Sequence, residues 1–222
     1  TGSVLWTDIE LSKLFEYQYG SGRLNKWDTP YRVGFFGFIE NDDRLIVAFD
    51  CGIAFFDLTN GNIDWLYGPT VLADGLRFND GKIDPFGRFW AGTMVEDPSV
   101  ANKSGSLFSI CPHQAPIEHI SDITTSNGLC WSFDGLVMYH ADSALQTIWR
   151  YRYDPVQNLL SDKKIFAKLG KGMFPDGSTV DSDGGVWNAQ WGGSQIVRYR
   201  EDGEQSLVLK VPVDLPSCVA FG

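Results

Sequence analysis

The chain has 222 residues, 43% of them hydrophobic and 21% charged, with a formal net charge of −10. This is the composition of a folded globular protein rather than a disordered one. The acidic balance and the lack of any basic run exclude nucleic acid and anionic membrane as expected partners. A small neutral molecule or a cation is the expected ligand.

In chain order, Leu5-Trp6-Thr7-Asp8 reads as the tail of a unit that then repeats. The unit is an apolar position, a turn containing Asp or Gly, and an apolar or alternating strand. It recurs at Ile39 to Phe49, Ile83 to Met94, Trp131 to His140 and Val180 to Gln190. Its anchors Ile39, Ile83, Trp131 and Val180 step by roughly 44 to 49 residues, the interval of a propeller blade rather than of a helical repeat. Between the copies lie strands of alternating character followed by polar turns: Gly22 to Trp27, Gly52 to Asp57, Gly105 to Ile110, Thr147 to Asp154 and Gln195 to Arg200. Alternation predicts one solvated face, as on the outer part of a blade. No segment carries a sustained helical period with caps, so helix content should be low.

The expected fold is therefore all-β, with four antiparallel strands per blade in a single domain over residues 1–222. At about 47 residues per unit the chain holds between four and five units. The end at Val219-Ala220-Phe221, before Gly222, reads as a strand beginning, and the repeat pattern reads as incomplete at both ends.

Cys51, Cys111, Cys130 and Cys218 form no CxxC pair, which argues against a zinc ribbon and a dense disulfide framework. Free thiols are the expectation, with a reducing, cytoplasmic setting. No apolar run is long enough to span a bilayer, and no basic-plus-apolar leader opens the chain.

Three polar clusters fall at one phase of the repeat: Arg77-Phe78-Asn79-Asp80-Gly81, Ser126-Asn127-Gly128 and Pro175-Asp176-Gly177. Each by itself is a common turn sequence. Their shared phase makes them neighbours at one end of a propeller channel, where Asn and Asp oxygens suit a hard divalent cation. His113 and His119 fall in a polar hairpin and should be solvated. Asp142, beside His140, either faces the channel mouth or caps a turn. No GxSxG elbow supports a serine nucleophile, and Gly184-Gly185 and Gly192-Gly193 read as turns rather than phosphate cradles.

At RFNDGKIDPFGRFWAGTM (77–94), SNGLCWSFDG (126–135) and FPDGSTVDSDGGVW (174–187), the chain resembles the SMP-30/gluconolactonase family, also called regucalcin-like. LPSCVAFG at 215–222 and LWTDIELSKLFEY at 5–17 add weaker support. The resemblance implies a six-bladed β-propeller of the sugar-lactonase type, here lacking parts of its first and last blades. It implies one divalent cation (Ca2+, Zn2+, Mn2+ or Mg2+) held by Asn127, Asp176 and a Glu that would precede this chain. It places substrate contacts on Arg77, Asn79 and Asp97, with Glu96 the alternative to Asp97 if the loop shifts by one.

The implied reaction is hydrolysis of a sugar lactone such as a gluconolactone. The cation would polarise the carbonyl and activate water, and Asp176 would act as general base with its pKa depressed by the ion. Two other readings stay open from the sequence: a non-catalytic cation-binding regulatory propeller, and a propeller esterase or lactonase of different substrate.

Overall fold

The computed structural model describes residues 2–69, 72–111 and 114–221; the expectations for His113 and Gly222 lie outside them. Nineteen strands among the described residues form five antiparallel sheets, each laid out in chain order. The first has three strands, β1 (Ser3–Asp8), β2 (Lys13–Gln18) and β3 (Arg23–Asp28). The second comprises β4 (Val33–Ile39), β5 (Asp42–Phe49), β6 (Gly52–Phe56) and β7 (Ile63–Tyr67). The third comprises β8 (Leu76–Ile83), β9 (Phe89–Val95), β10 (Gly105–Ile110) and β11 (Ile117–Ile123). The fourth comprises β12 (Ser126–Trp131), β13 (Val137–Asp142), β14 (Thr147–Asp154) and β15 (Leu159–Lys168). The fifth comprises β16 (Phe174–Val180), β17 (Val186–Trp191), β18 (Gln195–Tyr199) and β19 (Gln205–Lys210). The helical content described is a single 3-10 turn, Ser143–Leu145.

The repeat anchors Ile39, Ile83, Trp131 and Val180 are the last residues of β4, β8, β12 and β16. These first strands pack against one another from sheet to sheet, which makes them the inner wall of a propeller. The chain itself builds five sheets where the resemblance implies six, because a unit of about 45 residues exhausts this length after five. Residues 211–221 form no strand, contrary to the expectation at Val219-Ala220-Phe221. They run past β16 instead, where Gly177 N donates to Ser217 O at 2.8 Å.

Among the described residues the core consists of four clusters, one between each consecutive pair of sheets. Leu14 meets Val33, Val47 and Phe49; Ile46 and Ala48 meet Phe78, Phe89 and Ala91. Trp90 and Leu107 meet Trp131, Met138 and Tyr153; Tyr139 and Phe166 meet Val186 and Tyr199. The continuous run Leu45-Ile46-Val47-Ala48-Phe49 follows from this, since a second strand is buried on both faces and needs apolar residues at every position. The strands read as half-solvated divide accordingly. β6 is almost wholly buried between neighbouring sheets, and solvent falls mainly on fourth strands such as β19, exposed throughout.

The hairpins joining first and second strands carry a recurrent lock. Asp84 Oδ1 accepts from Phe86 N and Arg88 N at 2.9 Å each, while its Oδ2 accepts from Trp90 Nε1 at 3.0 Å and Tyr153 OH at 2.7 Å. Asp181 repeats the pattern, taking Asp183 N, Gly185 N and Trp187 Nε1. In both, an Asp opens the turn and a Trp six residues on closes it from the next strand.

Candidate functional site

The three polar clusters lie within the inner strands rather than in loops ahead of them. Each inner strand slips register over its cluster: between Phe78 and Gly81 in β8, Asn127 and Cys130 in β12, and Pro175 and Ser178 in β16. A bulge re-aims side chains that a regular strand would alternate. In β12 it requires Gly128, whose φ of 65° belongs to the left-handed region. Sequence alone cannot tell such a bulge from a turn, because both use Asn, Asp and Gly.

The bulges bring the clusters together. Arg77 is buried; its Nε donates to Glu96 Oε1 at 3.0 Å and its Nη1 to Asn79 Oδ1 at 2.9 Å. Asn79 Nδ2 in turn donates to Ser126 O at 2.9 Å and to Asn127 Oδ1 at 3.1 Å. Asn127 Nδ2 donates to Ser143 Oγ at 2.8 Å, and Ser143 Oγ donates to Pro175 O at 2.6 Å, beside Asp176. Among the described residues Arg77 Nη2 makes no protein hydrogen bond, which leaves it as a donor for a ligand.

The end of the Asn127 amide stands 3.1 Å from Asp176 Oδ1: with its nitrogen toward Asp176 the amide donates to the carboxylate, and with its oxygen toward Asp176 the two oxygens can share a cation. That separation suits two ligands on one hard cation, whose metal–oxygen bonds run about 2.3–2.6 Å for Ca2+. No group of three or more His, Cys, Asp and Glu converges among the described residues, so the donors on this wall are a carboxylate and an amide. They fit a hard divalent ion and not a thiolate or imidazole metal.

Burial pushes the Asp176 carboxyl up to about 8, the negative charge of Asp80 adds to that rise, and a hydrogen bond from Gly177 opposes it. Asp80 is also raised by burial, against the pull of Leu129 N and of the Lys82 charge. These shifts belong to the protein alone; a bound ion would act on Asp176 in the opposite direction. A cation placed here would relieve the repulsion between two half-buried carboxylates.

Asp97 sits outside this cluster: its Oδ1 accepts from Ser99 N at 2.9 Å and Ser99 Oγ at 2.6 Å, holding the loop after β9. Glu96 is the carboxylate that reaches Arg77, and it also takes Arg32 Nη1 and Nη2 at 2.7 and 2.8 Å. Arg32, anchored on Asp50 at 2.9 Å, is the member sequence reasoning missed, since nothing in the repeat marks the residue before β4. Asn188, fully buried, was missed as well; its Nδ2 donates to Asp176 O at 2.7 Å.

The remaining candidates resolve as structural. Asp142 accepts from Thr124 N, Thr125 N and Ala144 N, so it caps the 3-10 turn. His119 is not solvated but lies 4.4 Å from the Trp90 ring centroid, where burial lowers its pKa to about 4. Ser126 Oγ lies 2.9 Å from His140 Nε2, which has the look of a catalytic dyad. Both residues are sealed from solvent, at 0% and 1% exposure, so no substrate reaches that hydroxyl. Cys51, Cys111, Cys130 and Cys218 are free thiols, and no described helix is long and apolar enough to cross a membrane.

The sequence profile of the SMP-30/Gluconolactonase/LRE-like region matches residues 1–222. The chain is 34% identical to 6-deoxy-6-sulfogluconolactonase of Pseudomonas putida, over 98% of this chain and 74% of that protein. It is 31% identical to L-arabinolactonase of Azospirillum brasilense, over 100% of this chain and 74% of the relative. A solved calcium-binding protein, regucalcin of Agrobacterium tumefaciens, superposes with a TM-score of 0.88 at 28% identity, covering 98% of this chain and 73% of that one. By the match over its whole length and the shared arrangement of sheets, the chain belongs to the SMP-30/gluconolactonase/LRE-like family.

Proposed function

We propose that this protein hydrolyses a sugar lactone to the aldonic acid with the help of one divalent cation held by Asn127 and Asp176. That it is a lactonase-type hydrolase rests on relatives named for lactone hydrolysis at 31 to 34% identity over nearly the whole chain. The observation that carries the site is the approach of the Asn127 amide to Asp176 Oδ1, 3.1 Å apart on the inner wall although they come from different sheets.

A bound divalent ion would supply positive charge to polarise the lactone carbonyl and acidify water. The chain's own residues do the rest. Asp176 is the proton acceptor: beside a cation it stays ionised, and its place next to the ion's water positions it for general-base work. Arg77 offers Nη2 to a sugar hydroxyl or ring oxygen and is held rigid by Glu96 and Asn79, so it orients without reorganising. Asn79 has both ends of its amide engaged within the wall. It presents substrate with a fixed edge. Asp97 would join only if its loop let go of Ser99, and Glu96 is the better placed carboxylate.

The substrate is a small hydroxylated molecule, in keeping with a wall of amides, carboxylates and a guanidinium. Assay of an aldonolactone panel on wild type, Asp176→Ala and Asn127→Ala tests the reading. Turnover by wild type and its loss in both variants, with unchanged unfolding midpoints, is the expected result. Wild-type turnover in both variants would refute it.

A further inference from the structure

Ser126 is the residue through which the site touches the interior of its sheet. Its carbonyl accepts from Asn79 Nδ2 at 2.9 Å, and its neighbour is Asn127. Ser126 pairs with Asp142 on β13, and the register of β12 breaks just beyond it, between Asn127 and Cys130. Its side chain gives it a second point of attachment at the edge of that bulge. That attachment is His140 Nε2 at 2.9 Å, its one hydrogen-bond partner among the described residues.

Room for it is built in: a Cβ on Gly92 would lie 1.8 Å from Ser126 Oγ. The tautomer follows from the partners. With no other acceptor in reach, the Ser126 hydroxyl donates to Nε2, so the imidazole proton sits on Nδ1. Nδ1 has no partner in the described chain, nor has the Tyr151 hydroxyl. Both residues line one cleft of about 50 Å3 between the third and fourth sheets, with Trp149 and Lys163. Burial holds His140 neutral, its pKa lowered to about 3, so Nε2 stays an acceptor at any physiological pH.

We propose that His140 is a positioning residue: by accepting from Ser126 it fixes the bulge of β12, and with it the orientations of Asn79 and Asn127. The inference rests on the lactonase reading above for its kinetic consequences, but not for its structural ones. An apolar residue at position 140 would fill the same space and leave Ser126 free to turn.

The test compares His140→Phe, His140→Gln and Tyr151→Phe. His140→Phe keeps a ring but removes the acceptor, and should lower kcat/KM by about tenfold while raising the cation concentration needed for half-maximal rate. His140→Gln returns an oxygen to the Nε2 position and should recover most of both. Tyr151→Phe alters the cleft without touching Ser126 and should behave as wild type. Where His140→Phe fails to fold, Ser126→Ala deletes the same bond from the other side and should show the same split. Equal losses in His140→Phe and His140→Gln, or a kinetically unchanged His140→Phe, would overturn the proposal. Should wild type turn over no lactone at all, the functional reading fails by itself. The positioning role is then read from the side-chain amide NMR signals of Asn79 and Asn127, which shift in His140→Phe if it holds and stay in place if it does not.

Discussion

Asn79 Nδ2 donates to Asn127 Oδ1 across 3.1 Å, although 48 residues separate them in the chain. The contact joins the third sheet to the fourth at the inner wall and continues a line running from Glu96 through Arg77 to Asp176. Its members are tied to one another from sheet to sheet, so single substitutions should propagate along it.

Arg77→Ala removes the one member with a free donor. The account expects kcat/KM to fall by about 100-fold, chiefly through KM. The fold should hold, since Glu96 keeps its paired bonds to Arg32. Steady-state kinetics on an aldonolactone beside a thermal melt measures this.

Gly92→Ala places a methyl where Ser126 Oγ now sits, with the Ser126 Cβ only 2.5 Å from it. Neither atom belongs to a flexible side-chain end. The variant should lose about 2 kcal/mol or more of stability and most of its activity together. Urea unfolding and turnover on one preparation check that the two losses coincide.

Asp84→Ala leaves two backbone N–H groups, an indole and a phenol without their acceptor, in a place water does not reach. A cost of about 3 to 5 kcal/mol is expected. Asp181→Ala breaks the same pattern in the fifth sheet, but its side chain is 16% exposed against 0% for Asp84, so water replaces part of the loss and its cost should be smaller. Chemical denaturation of both variants ranks them.

The neutral burial of His140 sets a pH dependence. Its folded pKa is depressed to about 3, against about 6.5 unfolded, so its share of stability is complete above pH 6.5 and is lost as pH falls toward 3. Between pH 7 and pH 5 the unfolding free energy of wild type should drop by about 2 kcal/mol more than that of His140→Gln. Urea melts at the two pH values give the difference.

Much of this was legible in the sequence because a propeller repeats. The anchors Ile39, Ile83, Trp131 and Val180 mark the ends of successive inner strands, and their phase carried Asn79, Asn127 and Asp176 to one wall. Fourth strands such as β15 and β19 went unmarked, since solvent on both faces removes the alternation that reveals a strand. Arg32, Ser143 and Asn188 were hidden for another reason. They act through tertiary bonds to Glu96, Asn127 and the Asp176 backbone, which leave no period in the chain. Between Asp97 and its alternative Glu96 the sequence could not choose, because both lie in the loop after β9 and only a tertiary contact sets Glu96 on Arg77.

The central claim is that Asn127 and Asp176 share a divalent ion that lactone hydrolysis requires. Turnover of an aldonolactone by chelator-treated protein, followed as Ca2+, Mn2+, Mg2+ or Zn2+ is returned, tests it most directly. The account predicts activity abolished by the chelator and restored by at least one of these ions in wild type but not in Asp176→Ala. Undiminished turnover in the metal-free protein would contradict it.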